Sequence, residues 1–210
     1  GIIVYYNPAF YIVDDVDAPL PSAQVFITWP NGSMDVLPRY TTANGFINLT
    51  HVLPANYGLT ILWKDVVVKQ TTIGVNSDGP YTIKTEVYQL TVNVVGNGGA
   101  VVHGAYVIIY TQAGVGYGLD TTDASGQVLF KLPAGTYNIE AHFSAEYWLR
   151  VVTTSATEAD VSVNASASKT IVLTEFPPPI WTTTGFWLLM ALVGVLVLVA
   201  VFIFLRRRRV

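Results

Sequence analysis

Two hydrophobic patterns share this chain. Up to about residue 176, apolar and polar positions alternate in short runs, as in Ala23-Gln-Val-Phe-Ile27 and Ala105-Tyr-Val-Ile-Ile109. Gly, Asn, Asp or Pro interrupts these runs roughly every eight to twelve residues, the spacing of short strands and turns. Alternation sends successive side chains to opposite faces of a strand, and the Val, Ile, Thr and Tyr that dominate suit a half-buried pleated surface. No helical periodicity of useful length precedes Phe186. The pattern predicts an all-β region of antiparallel β-sandwiches.

From Phe186 to Leu205 the chain reads FWLLMALVGVLVLVAVFIFL, 20 residues without a charge. A helix of that length spans roughly 30 Å, the hydrocarbon thickness of a bilayer. This predicts a single transmembrane helix over 186–205, with membrane lipid as its partner. Trp181 and Trp187 stand at one end, where amphipathic rings favour the headgroup level, and Arg206, Arg207, Arg208 and Arg209 follow at the other. The arginines place the C-terminus in the cytoplasm and everything before Trp181 outside. The span holds no Asp, Glu, Lys, His or Asn, so it offers no ion or proton path. It reads as an anchor.

The outer portion is a tandem repeat. Thr41–Ile61 matches Thr121–Ile139, with Gly45 against Gly126, Pro54 against Pro133, and Ala23–Ile27 against Ala105–Ile109 upstream. The steps, 81, 79 and 82 residues, are too long for a solenoid unit and fit two small domains in series. The expected organisation is a leading strand over 1–7, sandwiches over 8–86 and 87–176, a proline-rich stalk over 177–185, the helix, and an arginine tail over 206–210. Residues 1–7 read as the end of a preceding sandwich in a longer or processed chain; the alternative is a mature chain whose signal peptide ended just before Gly1. Asn44-Gly45 and Ser125-Gly126 supply tight hairpin turns. Pro54 and Pro133 belong at strand starts or turns. Tyr57 and Tyr137 follow them, with their rings expected in the core.

Composition sharpens this outline. Of 210 residues 51% are hydrophobic and 12% charged, and mean hydropathy is +0.45. Such a chain is not disordered. The absence of cysteine rules out a disulfide scaffold and a cysteine zinc site. The net charge of −3 hides an asymmetry, because the outer portion carries 7 basic against 14 acidic residues. A face at −7 without a basic cluster is a poor nucleic-acid partner.

The order D-x-x-G-x-x-x-x-x-L-P-A-G-x-Y-x-I-x-A is met in the second repeat by Asp123, Gly126, Leu132, Pro133, Ala134, Gly135, Tyr137 and Ile139. The first repeat is looser, with Ala43 in place of the aspartate and Asn56-Tyr57 lacking the preceding glycine. Its entry, VDDVDAPLPSAQVFI, fits a first-hairpin pattern. Across about residues 8–176 the chain resembles the carboxypeptidase-regulatory-like and CnaB-type domains. The resemblance implies two tandem Ig-like, prealbumin-like antiparallel sandwiches; such modules serve as spacers, stalks and adhesive units, so it says little about activity. It also implies a possible internal Lys–Asn crosslink. That crosslink needs a lysine on the first strand, and neither Phe10–Val13 nor Leu90–Val95 holds one.

Candidate chemistry is sparse. Asp14, Asp15 and Asp17 cluster in the first hairpin, and oxygen ligands of this kind suit Ca²⁺. Their spacing is not that of an EF-hand, and a solvated turn is the competing reading. His51, His103 and His142 lack metal-ligand spacing, and His51 aligns near Lys131 as a surface position. No nucleophile elbow is present. Val115-Gly116-Tyr117-Gly118 echoes a potassium filter but lacks flanking spans, and reads as a hairpin loop. Asn31, Asn48 and Asn164 head N-glycosylation sequons. No cofactor, catalytic group or bound metal is expected.

These features predict a non-enzymatic, single-pass surface protein of an archaeal and thermophilic type of envelope. Its role would be that of an S-layer, stalk or adhesive unit, with self-association or other envelope subunits as partners. Two alternatives stay open. One is a glycan- or peptide-binding module presenting loops such as Gly114–Gly118; the other is an accessory outer subunit of a membrane complex.

Overall fold

Alternating burial along each strand shows how the pattern becomes structure. In β1 (Ala9–Val13) Phe10 and Ile12 point inward, in β2 (Gln24–Thr28) Val25 and Ile27, and in β5 (Ala55–Trp63) Tyr57, Leu59 and Ile61. The structure is a computed structural model and describes residues 3–147, 150–177 and 184–207. The first strands continue with β3 (Arg39–Tyr40), β4 (Phe46–Asn48), β6 (Val66–Val75) and β7 (Tyr81–Lys84). They form two sheets, β4-β1-β7 and β3-β2-β5-β6. Their inner faces share one core in which Phe10, Ile12, Ile27, Leu59 and Ile61 are the large, fully enclosed side chains. All pairings here are antiparallel except one: β1 runs parallel to β7, from Phe10 beside Tyr81 to Val13 beside Lys84. In this first sandwich the expected antiparallel pairing therefore has that exception.

Seven further strands follow: β8 (Val87–Gly96), β9 (Tyr106–Thr111), β10 (Gly116–Thr121), β11 (Gln127–Pro133), β12 (Gly135–Tyr147), β13 (Arg150–Val163) and β14 (Ala167–Leu173). They form the sheets β11-β8-β14 and β10-β9-β12-β13. Val92, Val94, Val107, Ile109, Ile139 and Leu173 are buried along them. The fold is thus two β-sandwiches and one C-terminal apolar helix, α1 (Thr184–Arg207). By contacts the chain separates into two compact units. Unit 1 holds residues 1–91, 129–137 and 160–169; unit 2 holds 92–128, 138–159 and 170–210.

The repeat is visible bond by bond. Gly45 and Gly126 both have positive φ, at 77° and 73°. Each offers its carbonyl to a first strand, Ile12 N–H to Gly45 and Val94 N–H to Gly126, both at 2.8 Å. Thr41 and Thr122 are buried, and each hydroxyl ties together the two ends of the turn that leads into β2 or β9. Thr41 Oγ1 accepts from Ala23 N–H at 2.8 Å and donates to the Leu20 carbonyl at 2.6 Å. Thr122 Oγ1 accepts from Ala105 N–H at 2.9 Å and donates to the Val102 carbonyl at 2.7 Å. Tyr57 and Tyr137 are buried as expected, and each hydroxyl donates four residues back, to the Leu53 and Pro133 carbonyls at 2.8 and 3.0 Å. This is the corner by which a buried phenol satisfies its polar end.

Two sequence expectations change. Asp123 caps its turn by accepting from Ser125 and Gln127 N–H at 2.8 and 3.0 Å. Its partner in the first repeat is Thr42, whose hydroxyl accepts from Phe46 N–H at 3.2 Å, and not Ala43. Counting back from the paired glycines shows why, since both caps stand three residues before them. The stretch Gly116-Tyr117-Gly118 lies in β10, antiparallel to β9 with a register shift between the glycines, and not in a loop. The turn itself closes one step earlier, through Thr111 N–H to Val115 at 2.9 Å.

Candidate functional site

The three hairpin aspartates have different fates. Asp14 follows the buried Val13 and is itself fully buried. Its Oδ1 accepts from the Ala18 and Val16 amides at 2.8 and 3.2 Å, which shapes the turn. Its Oδ2 accepts from Lys131 Nζ at 2.9 Å and Gln89 Nε2 at 3.0 Å. Lys131 also donates to the Pro19 carbonyl at 3.1 Å. All of these groups belong to unit 1. Burial alone would raise the Asp14 pKa, but the hydrogen bonds from Gln89, Lys131 and Ala18, with the lysine charge, hold it below the ordinary carboxylate value. The solvated turn therefore fails for Asp14, and Lys131, partly exposed, is part of this network.

Asp15 instead accepts from Ser166, Oγ to Oδ1 at 2.7 Å and N–H to Oδ2 at 3.2 Å. The same Ser166 hydroxyl accepts from Gln89 N–H at 2.7 Å. Asp17 turns outward to Lys84 at 3.0 Å, an exposed pair of little energetic weight. The three carboxylates thus go to separate partners. Among the described residues no three His, Asp or Glu side chains converge as metal ligands. Among the described residues His142 meets Glu140, at 3.2 Å.

Asn31, Asn48 and Asn164 are all exposed. They differ in the hydroxyl two residues on. Thr50 is exposed, and Ser33 donates locally to Asn31 Oδ1 at 2.7 Å, leaving an open turn. Ser166 is held by Asp15 and Gln89. An acceptor sequon must be presented on accessible chain. Glycan transfer to the folded protein is therefore expected at Asn31 and Asn48 ahead of Asn164. Glycopeptide mapping that finds Asn164 the most occupied would contradict this.

Of the anchor residues, Trp187 lies on α1 and is exposed, and Arg206 and Arg207 close the helix. Trp181, Arg208, Arg209 and the prolines from 178 onward lie outside the described residues. From Thr184 to Ile203 the helix is long and apolar enough to cross a membrane, and from Trp187 onward that stretch is exposed. It begins two residues before the expected Phe186.

A further feature, with the form of a ligand site, has no counterpart among the sequence expectations. At one end of unit 1 lies a cleft of about 710 Å³, inside the roughly 300–1,000 Å³ range of ligand pockets. Residues 5–7 zip onto the β4–β5 connection, with Tyr6 and Val52 exchanging backbone bonds at 2.9 and 3.0 Å. This lays Tyr5 flat on His51, ring centroids 3.8 Å apart and planes 13° from parallel. Opposite them Trp29 meets Tyr57 edge-on at 5.8 Å. Trp29 is locked, since its Nε1–H donates to Asp35 Oδ1 at 2.7 Å. Thr111 stands where Trp29 does in the repeat, at the head of the equivalent turn. That substitution was the only trace of the cleft in the sequence. The expected loop Gly114–Gly118 instead contributes only Gly114 to a smaller hollow of about 310 Å³.

The sequence matches no family model and no curated protein. Among solved structures the chain is similar to the TIE protein of Bacillus anthracis, at 15% identity and a TM-score of 0.32 over 82% of this chain. It spans about a third of that protein's length, 34%. It is also similar to the minor pilin of Streptococcus agalactiae, at 12% identity, a TM-score of 0.32, 82% of this chain and 98% of the other. A mutant of the shaft pilin spaA from Lactobacillus rhamnosus GG gives 11%, 0.39, 81% and 98%. Likeness this distant leaves function to be argued from the chain's own residues.

Proposed function

We propose that the chain is a non-enzymatic, membrane-anchored surface protein whose β-sandwiches act as spacer and contact units in a larger envelope assembly. The observation that carries this is α1. A helix apolar on every face has no place in water, and here the run Trp187–Ile203 is exposed along its whole length among the described residues. The arginines after it set the direction, with the sandwiches outside and the tail in the cytoplasm. The titratable cluster around Asp14 is saturated by protein donors, which suits a structural part. Contact with neighbouring subunits is supported by exposed apolar residues next to a short edge strand, with Val36 and Leu37 exposed at 92% and 78% and Tyr40 on β3 at 62%. The S-layer, stalk or adhesive roles and an archaeal setting belong to this proposal.

In membranes from its own host, the full chain is expected to stay in the pellet after alkaline carbonate washing. Protease added to intact cells should remove the sandwiches and leave only the helix and tail. Release by carbonate, or complete protection in intact cells, would sink the reading.

A further inference from the structure

The cleft beside Trp29 is built more carefully than a spacer requires. Its walls are rings held in fixed orientation: Tyr5 stacked on His51, Trp29 tied to Asp35, Tyr57 tied to the Leu53 carbonyl. His51 itself is held at φ 56°, its N–H donating to Asn7 Oδ1 at 2.9 Å. Fixed walls lower the ordering cost of binding. None of the lining residues is Asp, Glu, Lys or Arg, so the cleft is matched to a neutral ligand.

Two neutral ligands use aromatic walls: proline-rich peptide, and carbohydrate, whose C–H faces lie against ring faces. A polyproline segment presents backbone carbonyls, which need donors on the aromatic wall. Here the indole N–H and the Tyr57 hydroxyl are already spent inside the protein, and of the wall's tyrosine and tryptophan donors that leaves the Tyr5 hydroxyl alone. The groups left open are of another kind. The Asn31 amide nitrogen, the Thr50 hydroxyl and the His51 ring nitrogens make no hydrogen bond among the described residues. Together they both donate and accept. Sugar hydroxyls require that combination.

We infer that the Tyr5–Trp29–His51 cleft binds a neutral oligosaccharide, with the rings stacking against a sugar face and Asn31, Thr50 and His51 reading its hydroxyls. This goes beyond the anchoring role and does not depend on it. Asn31 is also a sequon, so a glycan attached there would stand at the mouth of the cleft.

The test uses the full chain in detergent, made in a host without N-glycosylation so that the cleft is bare. Calorimetry is run with cellohexaose, laminarihexaose, maltohexaose, mannohexaose and chitohexaose, and with decaproline. At least one oligosaccharide is expected to bind saturably, with Kd between roughly 10 µM and 1 mM. Tyr5→Ala and His51→Asn should each weaken it by about tenfold or more. Asparagine tolerates the positive φ at position 51, and unchanged melting of both variants guards against misfolding. Tyr106→Ala, an exposed ring in unit 2, should leave binding unchanged. The inference is overturned by any of three results: no saccharide saturates up to about 10 mM, the Kd is indifferent to both cleft variants, or decaproline binds in place of the sugars.

Discussion

Replacing Asp14 with alanine is expected to destabilise unit 1 by about 3–5 kcal/mol, the cost of breaking a buried, hydrogen-bonded charge pair from one side. The loss is large because two donors are stranded together. Lys131 Nζ and Gln89 Nε2 both end on Asp14 Oδ2, at 2.9 and 3.0 Å, and the turn amides of Ala18 and Val16 lose Oδ1 as well. The Lys131 side chain is 27% exposed and recovers some water, which favours the lower end of the range. Asp17→Ala, which breaks only the exposed pair with Lys84, should cost less than about 1 kcal/mol. Adding Lys131→Met to Asp14→Ala should restore part of the loss, since an apolar replacement removes the stranded charge. Urea unfolding of the full chain in detergent measures all three. Equal losses for Asp14→Ala and Asp17→Ala would refute the assignment.

The same pair has a pH signature. The folded Asp14 pKa lies below its unfolded value, so its stabilisation is complete above the unfolded carboxylate range, near 3.9. It is lost as pH falls through the lower folded value. The difference in stability between the native chain and Asp14→Ala should therefore be flat near neutrality and shrink in acid. A difference that instead grows on acidification would show that the carboxyl is not held ionised.

What the sequence revealed and what it hid divide along a physical line. Alternation, turn residues and the apolar run act within a few residues, so the strands around Val25 and Val107, the turns at Gly45 and Gly126 and the helix after Thr184 could be read directly. The two corner tyrosines could also be read, because a repeat places them. Side-chain partners far apart in sequence could not. Asp14 and Lys131 are separated by more than a hundred residues, and an aspartate beside two other acids looks solvated until the fold brings a lysine to it. Ser166 illustrates the same limit: the sequence shows it as the third residue of the Asn164 sequon, yet its hydroxyl lies between Asp15 and Gln89. The cleft was hidden for a related reason. Tyr5, Trp29 and His51 come from three separate segments, and the β-bridge between Tyr6 and Val52, with the His51 N–H bond to Asn7, brings the first and last together.

Gly45→Ala is the second large effect, about 2–5 kcal/mol, from a strained backbone and an overpacked contact added together. Gly45 sits at φ 77°, and a Cβ there would stand 2.6 Å from the Ile12 carbonyl oxygen and 3.2 Å from the Leu20 nitrogen. Neither atom can yield. The Ile12 carbonyl accepts from Leu20 N–H at 3.0 Å, and Ile12 N–H donates to Gly45 itself at 2.8 Å. Moving any one of them opens the junction of the first hairpin and β1. Gly126 repeats the arrangement with a Cβ 2.9 Å from the Val94 carbonyl, so Gly126→Ala should cost somewhat less. Gly32 separates the two contributions. It has φ 84° but nothing within 4 Å, so Gly32→Ala carries only the backbone cost, about 1–2 kcal/mol. The expected order of thermal midpoints is native, then Gly32→Ala, Gly126→Ala and Gly45→Ala. If Gly45→Ala melts with Gly32→Ala, positive φ alone explains these glycines and the close approach to β1 is unimportant. If the expected order holds, the glycine is required at each repeat because the turn packs onto a first strand, and the 81-residue step from Gly45 to Gly126 is the spacing of that contact.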